Sequence, residues 1–225
     1  MTHFIRYVVF VLLFAFCLSC GQSEKQVNSK QPGKKDTATA SKALKTIVFF
    51  GNSLTAGYGL EPSSAFPALI QEKIDSLDLP YKVINAGVSG ETSSGGNSRI
   101  DWILEQPIDI FVLELGANDG LRGIPMTETK TNLQSIIDKV KSKYPQAEII
   151  IAGMQMPPNM GAQYTSEFRA IFPELARKNN SRLIPFILEG VGGEVELNQE
   201  DGIHPTLEGH QIVSENVWQE LKPLL

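Results

Sequence analysis

The sequence predicts an α/β fold: a three-layer α/β/α sandwich built on a five-stranded parallel sheet. Three observations point there. Apolar runs of strand length alternate with segments of helical period through residues 45–225. The runs are apolar on both faces, which suits strands covered by helices on either side. Right-handed crossovers give the three layers, and parallel strands put the loops that follow them on one rim; those loops are polar and contain glycine.

The elements follow in order. Residues 46–50 (TIVFF), closed by Gly51, read as a first buried strand. Residues 66–77 have helical period, with Phe66, Leu69, Ile70, Ile74 and Leu77 on one face. Residues 81–85 (YKVIN) read as a second strand and 98–105 as a helix. Residues 108–115 (IDIFVLEL) form a third strand. Residues 129–144 are amphipathic, with Leu133, Ile136, Ile137 and Val140 in register and Pro145 just past the end. Residues 147–152 (AEIIIA) are a fourth strand. A helix is expected over 164–178, where Pro173 predicts a kink or break. Residues 182–185 are a weak fifth strand, and 206–221 a final helix. No internal repeat is present.

Composition narrows the function. The 225 residues are 42% hydrophobic and 20% charged, with net charge −5, an ordinary globular balance that excludes collagen-like, coiled-coil and wholly disordered chains. Beyond residue 44 the charge is −9. An acidic domain without a basic stripe argues against nucleic-acid binding, which needs cations to neutralise phosphates. Both cysteines, Cys17 and Cys20, lie in the first twenty residues, which excludes a disulfide framework or thiolate metal site in the rest.

The N-terminus reads as an address and a tether. Residues 7–19 carry no charge and follow His3 and Arg6. At about 1.5 Å per residue they span about 20 Å as a helix, short of a hydrocarbon core of about 30 Å. Residues 1–19 are therefore expected to be a signal peptide rather than a membrane span. The ending Cys17-Leu18-Ser19-Cys20-Gly21 resembles a bacterial lipobox, with Cys20 lipidated and Cys17 a departure from the usual aliphatic residue. A plain signal peptide is the alternative. Residues 20–44 are rich in Ser, Thr, Lys and Gln and are expected to be a flexible linker to a domain at 45–225. The expected location is the bacterial cell envelope, with the protein attached through its lipid and facing the periplasm or cell surface.

Four loops carry the chemistry: Gly51-Asn52-Ser53-Leu54, the segment 86–92 (AGVSGET), Gly116-Ala117-Asn118-Asp119-Gly120, and Asp201-Gly202-Ile203-His204-Pro205. A serine hydroxyl needs an adjacent base, and the base an orienting acceptor. His204 precedes a proline that fixes its backbone. Asp201, three residues earlier, is spaced so that one tight turn brings its carboxylate to Nδ1 and leaves Nε2 free; read alone, the tetrapeptide fits better an Asp201 that caps a helix and a His204 that is a solvated loop residue. His210 reads as a surface or helix-packing residue. Ser53, Ser89 and Ser93 remain rival nucleophiles on residues alone, and Asn118 and Asp119 also fit a helix cap. The hydrolase elbow Gly-x-Ser-x-Gly is unmatched, because Thr55 stands in place of its last glycine.

Taken together, these blocks resemble the SGNH (GDSL-type) hydrolase family, in its subgroup of secreted arylesterases, thioesterases and lysophospholipases. The likeness runs over residues 46–223, through FGNSLTAGYG, NAGVSGET, LELGANDGLRG and DGIHP. The resemblance implies a flavodoxin-like sheet and a serine esterase acting on small-molecule acyl esters or thioesters. It implies Ser53 as nucleophile, His204 as base and then acid, and Asp201 as its orienting partner. The oxyanion hole would be the backbone N–H groups of Ser53 and Gly90 with the Asn118 amide, Gly87 being the runner-up for Gly90. No metal or organic cofactor is implied. Asn52 stands where the family usually has Asp, keeping size and hydrogen bonding but losing charge. A carbohydrate O-acetylesterase of the same family is the rival activity, and a non-catalytic ligand-binding lipoprotein the rival class. Met154, Met156 and Met160, after the fourth strand, either line an adaptable acyl pocket or pack the core.

Overall fold

The computed structural model describes residues 44–225. The expected signal peptide, Cys20 and all of the linker but Leu44 lie outside the described residues.

Five strands form one parallel sheet: β1 (Lys45–Gly51), β2 (Tyr81–Gly87), β3 (Ile110–Glu114), β4 (Glu148–Ala152) and β5 (Arg182–Ile184), in the order β2-β1-β3-β4-β5. The helices are α1 (Ser53–Ala56), α2 (Phe66–Ser76), α3 (Ser93–Ile103), α4 (Ala117–Leu121), α5 (Met126–Lys143), α6 (Ala162–Asn179) and α7 (Leu207–Leu221). Contacts group α2 with α7, and α5 with both α3 and α6, so the sheet lies between two helical layers. The interior residues of β1 are buried on both faces, as are those of β3, because helices cover both. Phe49 of β1 meets Phe66 of α2 edge-on at 5.4 Å and joins sheet to helix, while within the sheet Phe50 meets Phe111 of β3 at 5.6 Å.

From β1 the chain moves to β2 on one side and then back across to β3 on the other. The carboxyl ends of β1 and β3 therefore flank a topological switch point, where α/β sheets place their ligands.

Several boundaries differ from the sequence expectation, each for a physical reason. Helix α3 starts five residues early, at Ser93, capped by the Thr92 side chain accepting from Gly95 N–H at 3.3 Å. Its first turn holds Gly95 and Gly96, poor helix formers that hide it from a periodicity reading. Gly96 is there for packing: a Cβ would stand 2.4 Å from Leu115 Cδ1. Helix α6 runs unbroken through Pro173. Burial of Phe168, Ile171, Phe172 and Leu175, at about 1.5–3 kcal/mol each, outweighs the ~3 kcal/mol cost of an interior proline. Leu77, expected on the buried face of α2, is its C-cap residue and is exposed. Strand β3 is shorter at both ends than residues 108–115. The short helices α1 and α4 sit where loops were expected.

Candidate active site

Ser53 follows directly from β1. Asn52 caps α1 by accepting Leu54 N–H at 2.9 Å, and Gly57 in the left-handed region (φ 76°) ends the helix after one turn. The hydroxyl is thus held at the sheet's carboxyl edge. Ser53 Oγ lies 2.8 Å from His204 Nε2, and His204 Nδ1 lies 2.6 Å from Asp201 Oδ2. The other Asp201 oxygen accepts the backbone N–H groups of Ile203 and His204, both at 3.0 Å. One carboxylate therefore builds the turn that carries the imidazole and also orients its ring. It does not cap α7; Thr206 does that.

The electrostatics fix the proton. Partial burial alone would raise the Asp201 pKa, but the His204 imidazole and the two backbone N–H donors outweigh it and hold the group at about 2. An ionised Asp201 requires Nδ1 to carry hydrogen. Nε2 then presents its lone pair, and Ser53 Oγ–H donates to it. Gln199 braces this loop, donating from Nε2 to Tyr58 O at 2.7 Å and to Pro205 O at 3.0 Å. The Tyr58 ring lies 4.6 Å from that of His204.

Ser53, Gly90, Asn118 and His204 line one cavity of about 400 Å³. Gly90 has φ +79°, which a side chain would strain, and a Cβ there would meet nothing closer than Arg122 at 3.7 Å. Among the described residues no protein acceptor takes the backbone N–H of Ser53 or of Gly90. Asn118 Nδ2 donates one hydrogen to Glu91 O at 3.0 Å, which aims the amide and leaves its second hydrogen unused. Gly87, the alternative to Gly90, instead packs against the backbone of α1.

The rival serines separate clearly. Ser93 is fully buried, its Oγ donating to Asp119 Oδ1 at 2.5 Å. Asp119 also accepts Ser93 N–H at 2.8 Å and Thr129 Oγ1 at 3.3 Å, so it pins α3 and α5 to α4 rather than capping a segment. Ser89 lines the cavity, but no histidine bonds it. His210 is buried against α2, where Nδ1 accepts Phe66 N–H at 3.2 Å. Burial, aided by the nearby His204, pushes its pKa down to about 4.

The methionine loop fits both readings at once. Met154 and Met156 are core residues whose exposed atoms line the cavity beside Phe186, Leu188, Leu121 and Ile203, whereas Met160 packs on the core away from it. A second groove of about 1070 Å³, bordered by Asp101, Lys130 and Lys139, carries no such relay.

The structure adds residues that sequence reasoning missed. Arg99 donates to Glu91 from Nε (2.6 Å) and Nη2 (2.5 Å), caps Ala86 O at 2.7 Å and covers the Phe50 ring at 4.0 Å. This fork holds the loop bearing Gly90 to the ends of the strands. Glu114, buried at the end of β3, accepts from Asn52 Nδ2 and Thr55 Oγ1. A carboxylate inside an apolar strand run was the one visible signal for it.

Residues 49–212 match the GDSL-like Lipase/Acylhydrolase family. Esterase TesA of Pseudomonas aeruginosa is 39% identical over 188 residues, covering 83% of this chain and 92% of that protein. Thioesterase 1/protease 1/lysophospholipase L1 of Escherichia coli (strain K12) is 37% identical over 184 residues, covering 81% and 86%. The crystal structure of the psychrotrophic esterase EstA from Pseudoalteromonas sp., inhibited by monoethylphosphonate, superposes with TM-score 0.75 at 33% identity over 80% of this chain and 97% of that one.

Proposed function

The chain belongs to the GDSL-like lipase/acylhydrolase family and is an ester-bond hydrolase; from that premise we propose that it works through an acyl-enzyme formed on Ser53. The observation that carries this is the continuous relay Ser53–His204–Asp201, at 2.8 and 2.6 Å, opening into the cavity that Asn118 and Gly90 share.

In acylation, His204 Nε2 takes the Ser53 proton as Oγ attacks the substrate carbonyl carbon. Asp201 stabilises the imidazolium. The carbonyl oxygen becomes an anion facing the N–H groups of Ser53 and Gly90 and the Asn118 amide, donors fixed before reaction; each is typically worth about 3 kcal/mol. Collapse of the intermediate breaks the bond to the leaving oxygen or sulfur, which takes the proton from His204. Water then repeats the sequence on the acyl-enzyme and releases the carboxylic acid.

The substrates are small-molecule acyl esters or thioesters. The apolar wall of Met154, Met156, Phe186 and Leu188 suits an acyl chain and disfavours an acetylated sugar. The thioesterase and lysophospholipase names of the E. coli relative fit the same cavity. The lipobox-like ending at Cys20 and the polar stretch to residue 44 support a lipid-anchored enzyme on the cell envelope, facing the periplasm or cell surface. Among the described residues no helix is long and apolar enough to cross a membrane.

A fluorophosphonate probe tests the nucleophile. We expect one label, on the peptide containing Ser53. Ser53→Ala should abolish both labelling and p-nitrophenyl ester turnover while leaving the melting temperature nearly unchanged. Undiminished turnover in that variant refutes the assignment.

A further inference from the structure

We propose that Glu114 is a positioning residue of this hydrolase: its ionised carboxylate holds the Asn52–Ser53 turn, and the neutral Asn52 beside it keeps it able to ionise. The inference rests on Ser53 being the nucleophile.

Glu114 is buried and belongs to no ion pair among the described residues. Its Oε1 accepts Asn52 Nδ2–H at 2.7 Å. Its Oε2 accepts Asn52 N–H at 3.2 Å and Thr55 Oγ1–H at 2.8 Å. The first two partners are donors only, so the arrangement suits an anion. A proton on Oε1 would point at an N–H; a proton on Oε2 would have Thr55 Oγ1 as its one acceptor. Protonation therefore either sets the acid proton against an N–H or forces the Thr55 bond to reverse its direction.

Those bonds reach the nucleophile in two steps. Glu114 fixes which way round the Asn52 amide sits: Nδ2 towards the carboxylate and Oδ1 towards Leu54 N–H, with Ser53 Oγ 3.4 Å away. The same Oδ1 caps α1, the single turn that begins with Ser53. Packing around the pair is tight, since a Cβ on Gly51 would lie 2.6 Å from Glu114 Oε2.

The charged groups nearby are few. From α3, the Arg99 guanidinium touches Gly51 O at 3.5 Å but is engaged by Glu91. From the loop before α7, His204 reaches the turn through Ser53. From β1 and α1 come the neutral donors Asn52 and Thr55. Burial pushes the Glu114 pKa up to about 7 despite the donors that oppose it, so its ionisation falls within the working range of an esterase. An acid at position 52, the usual residue in the motif this chain resembles, would put two carboxyls at this contact, where one proton is shared and ionisation is delayed.

The experiment is the pH profile of kcat/KM on a p-nitrophenyl ester. Two groups, His204 and Glu114, must both lose a proton, so the acid limb of the native enzyme should steepen towards a log–log slope of about two. Glu114→Gln should cut kcat/KM about tenfold to a hundredfold on the alkaline plateau and reduce that slope to about one. Asn52→Asp should move the acid limb up by about one pH unit or more. A merely structural Glu114 would lower the melting temperature in Glu114→Gln and leave the slope unchanged, which overturns the proposal. Should Glu114→Gln fail to fold, Asn52→Asp decides: an acid limb superimposed on the native one refutes it. Failure of the nucleophile assignment is read separately, as turnover surviving in Ser53→Ala.

Discussion

Replacing Gly87 with alanine should impair catalysis as well as stability. Gly87 closes β2 with its Cα against the backbone of α1. A Cβ there would lie 2.3 Å from Ala56 N and 2.7 Å from the Thr55 carbonyl carbon, where ordinary contact begins near 3.4 Å. Both obstacles are backbone, so no side-chain rotation relieves them, and the two segments must separate by about 1 Å. Strand β2 is paired with β1 along its whole length and resists. The one-turn helix α1 yields instead, and its first residue is Ser53. Moving Oγ by about 1 Å from its 2.8 Å contact with His204 should lower kcat/KM about 100-fold, equivalent to ~2.7 kcal/mol in the barrier. The overpacking itself should cost about 1–3 kcal/mol of stability. The assay pairs ester hydrolysis with thermal unfolding. Gly161→Ala serves as the control: with φ +96° and ψ 138° and nothing within 4 Å, it should lose about 1–3 kcal/mol of stability and no activity. Native kcat/KM in Gly87→Ala, or a loss no larger than in the control, would refute the reasoning.

Two further outcomes are expected. His210 titrates near 6.5 when unfolded but is held to about 4 in the fold, so the unfolded chain binds its proton first as pH falls. Its contribution is complete above pH 6.5 and should decline by about 3 kcal/mol towards pH 4; His210→Gln should flatten urea-melt midpoints across that window, and an unchanged slope would count against it. Cys20→Ser should shift the protein from the membrane to the soluble fraction, and retention on membranes would argue against a lipid anchor at that residue.

The layers were legible because the strands are short, apolar and separated by helical period, and β1 and β3 are buried enough to show it cleanly. Ser53, Asp201, His204 and Asn118 were legible as types in loops, and the resemblance joined them. What escaped was tertiary. The start of α3 was hidden because Gly96 is selected by its approach to Leu115 and Phe50, at the expense of helix propensity. Arg99 looks like any charged residue on a helix until the fold brings it to Glu91 and two strand ends. Gly87 and Gly90 are indistinguishable in a string of letters. One is glycine because a backbone lies behind it, the other because its φ is positive.

The turn at residues 201–204 has a consequence for how the enzyme can diversify. Acid and base sit in one tetrapeptide that makes its own bonds, clasped by Gln199 N–H on His204 O at 2.7 Å. The stretch before it, with Phe186, Leu188, Gly192 and Gly193, faces the cavity; among the described residues these four make no hydrogen bond to residues 201–204. Substrate preference and proton handling thus occupy neighbouring but separable modules, and drift in the first can retune what is admitted while the second stays constant.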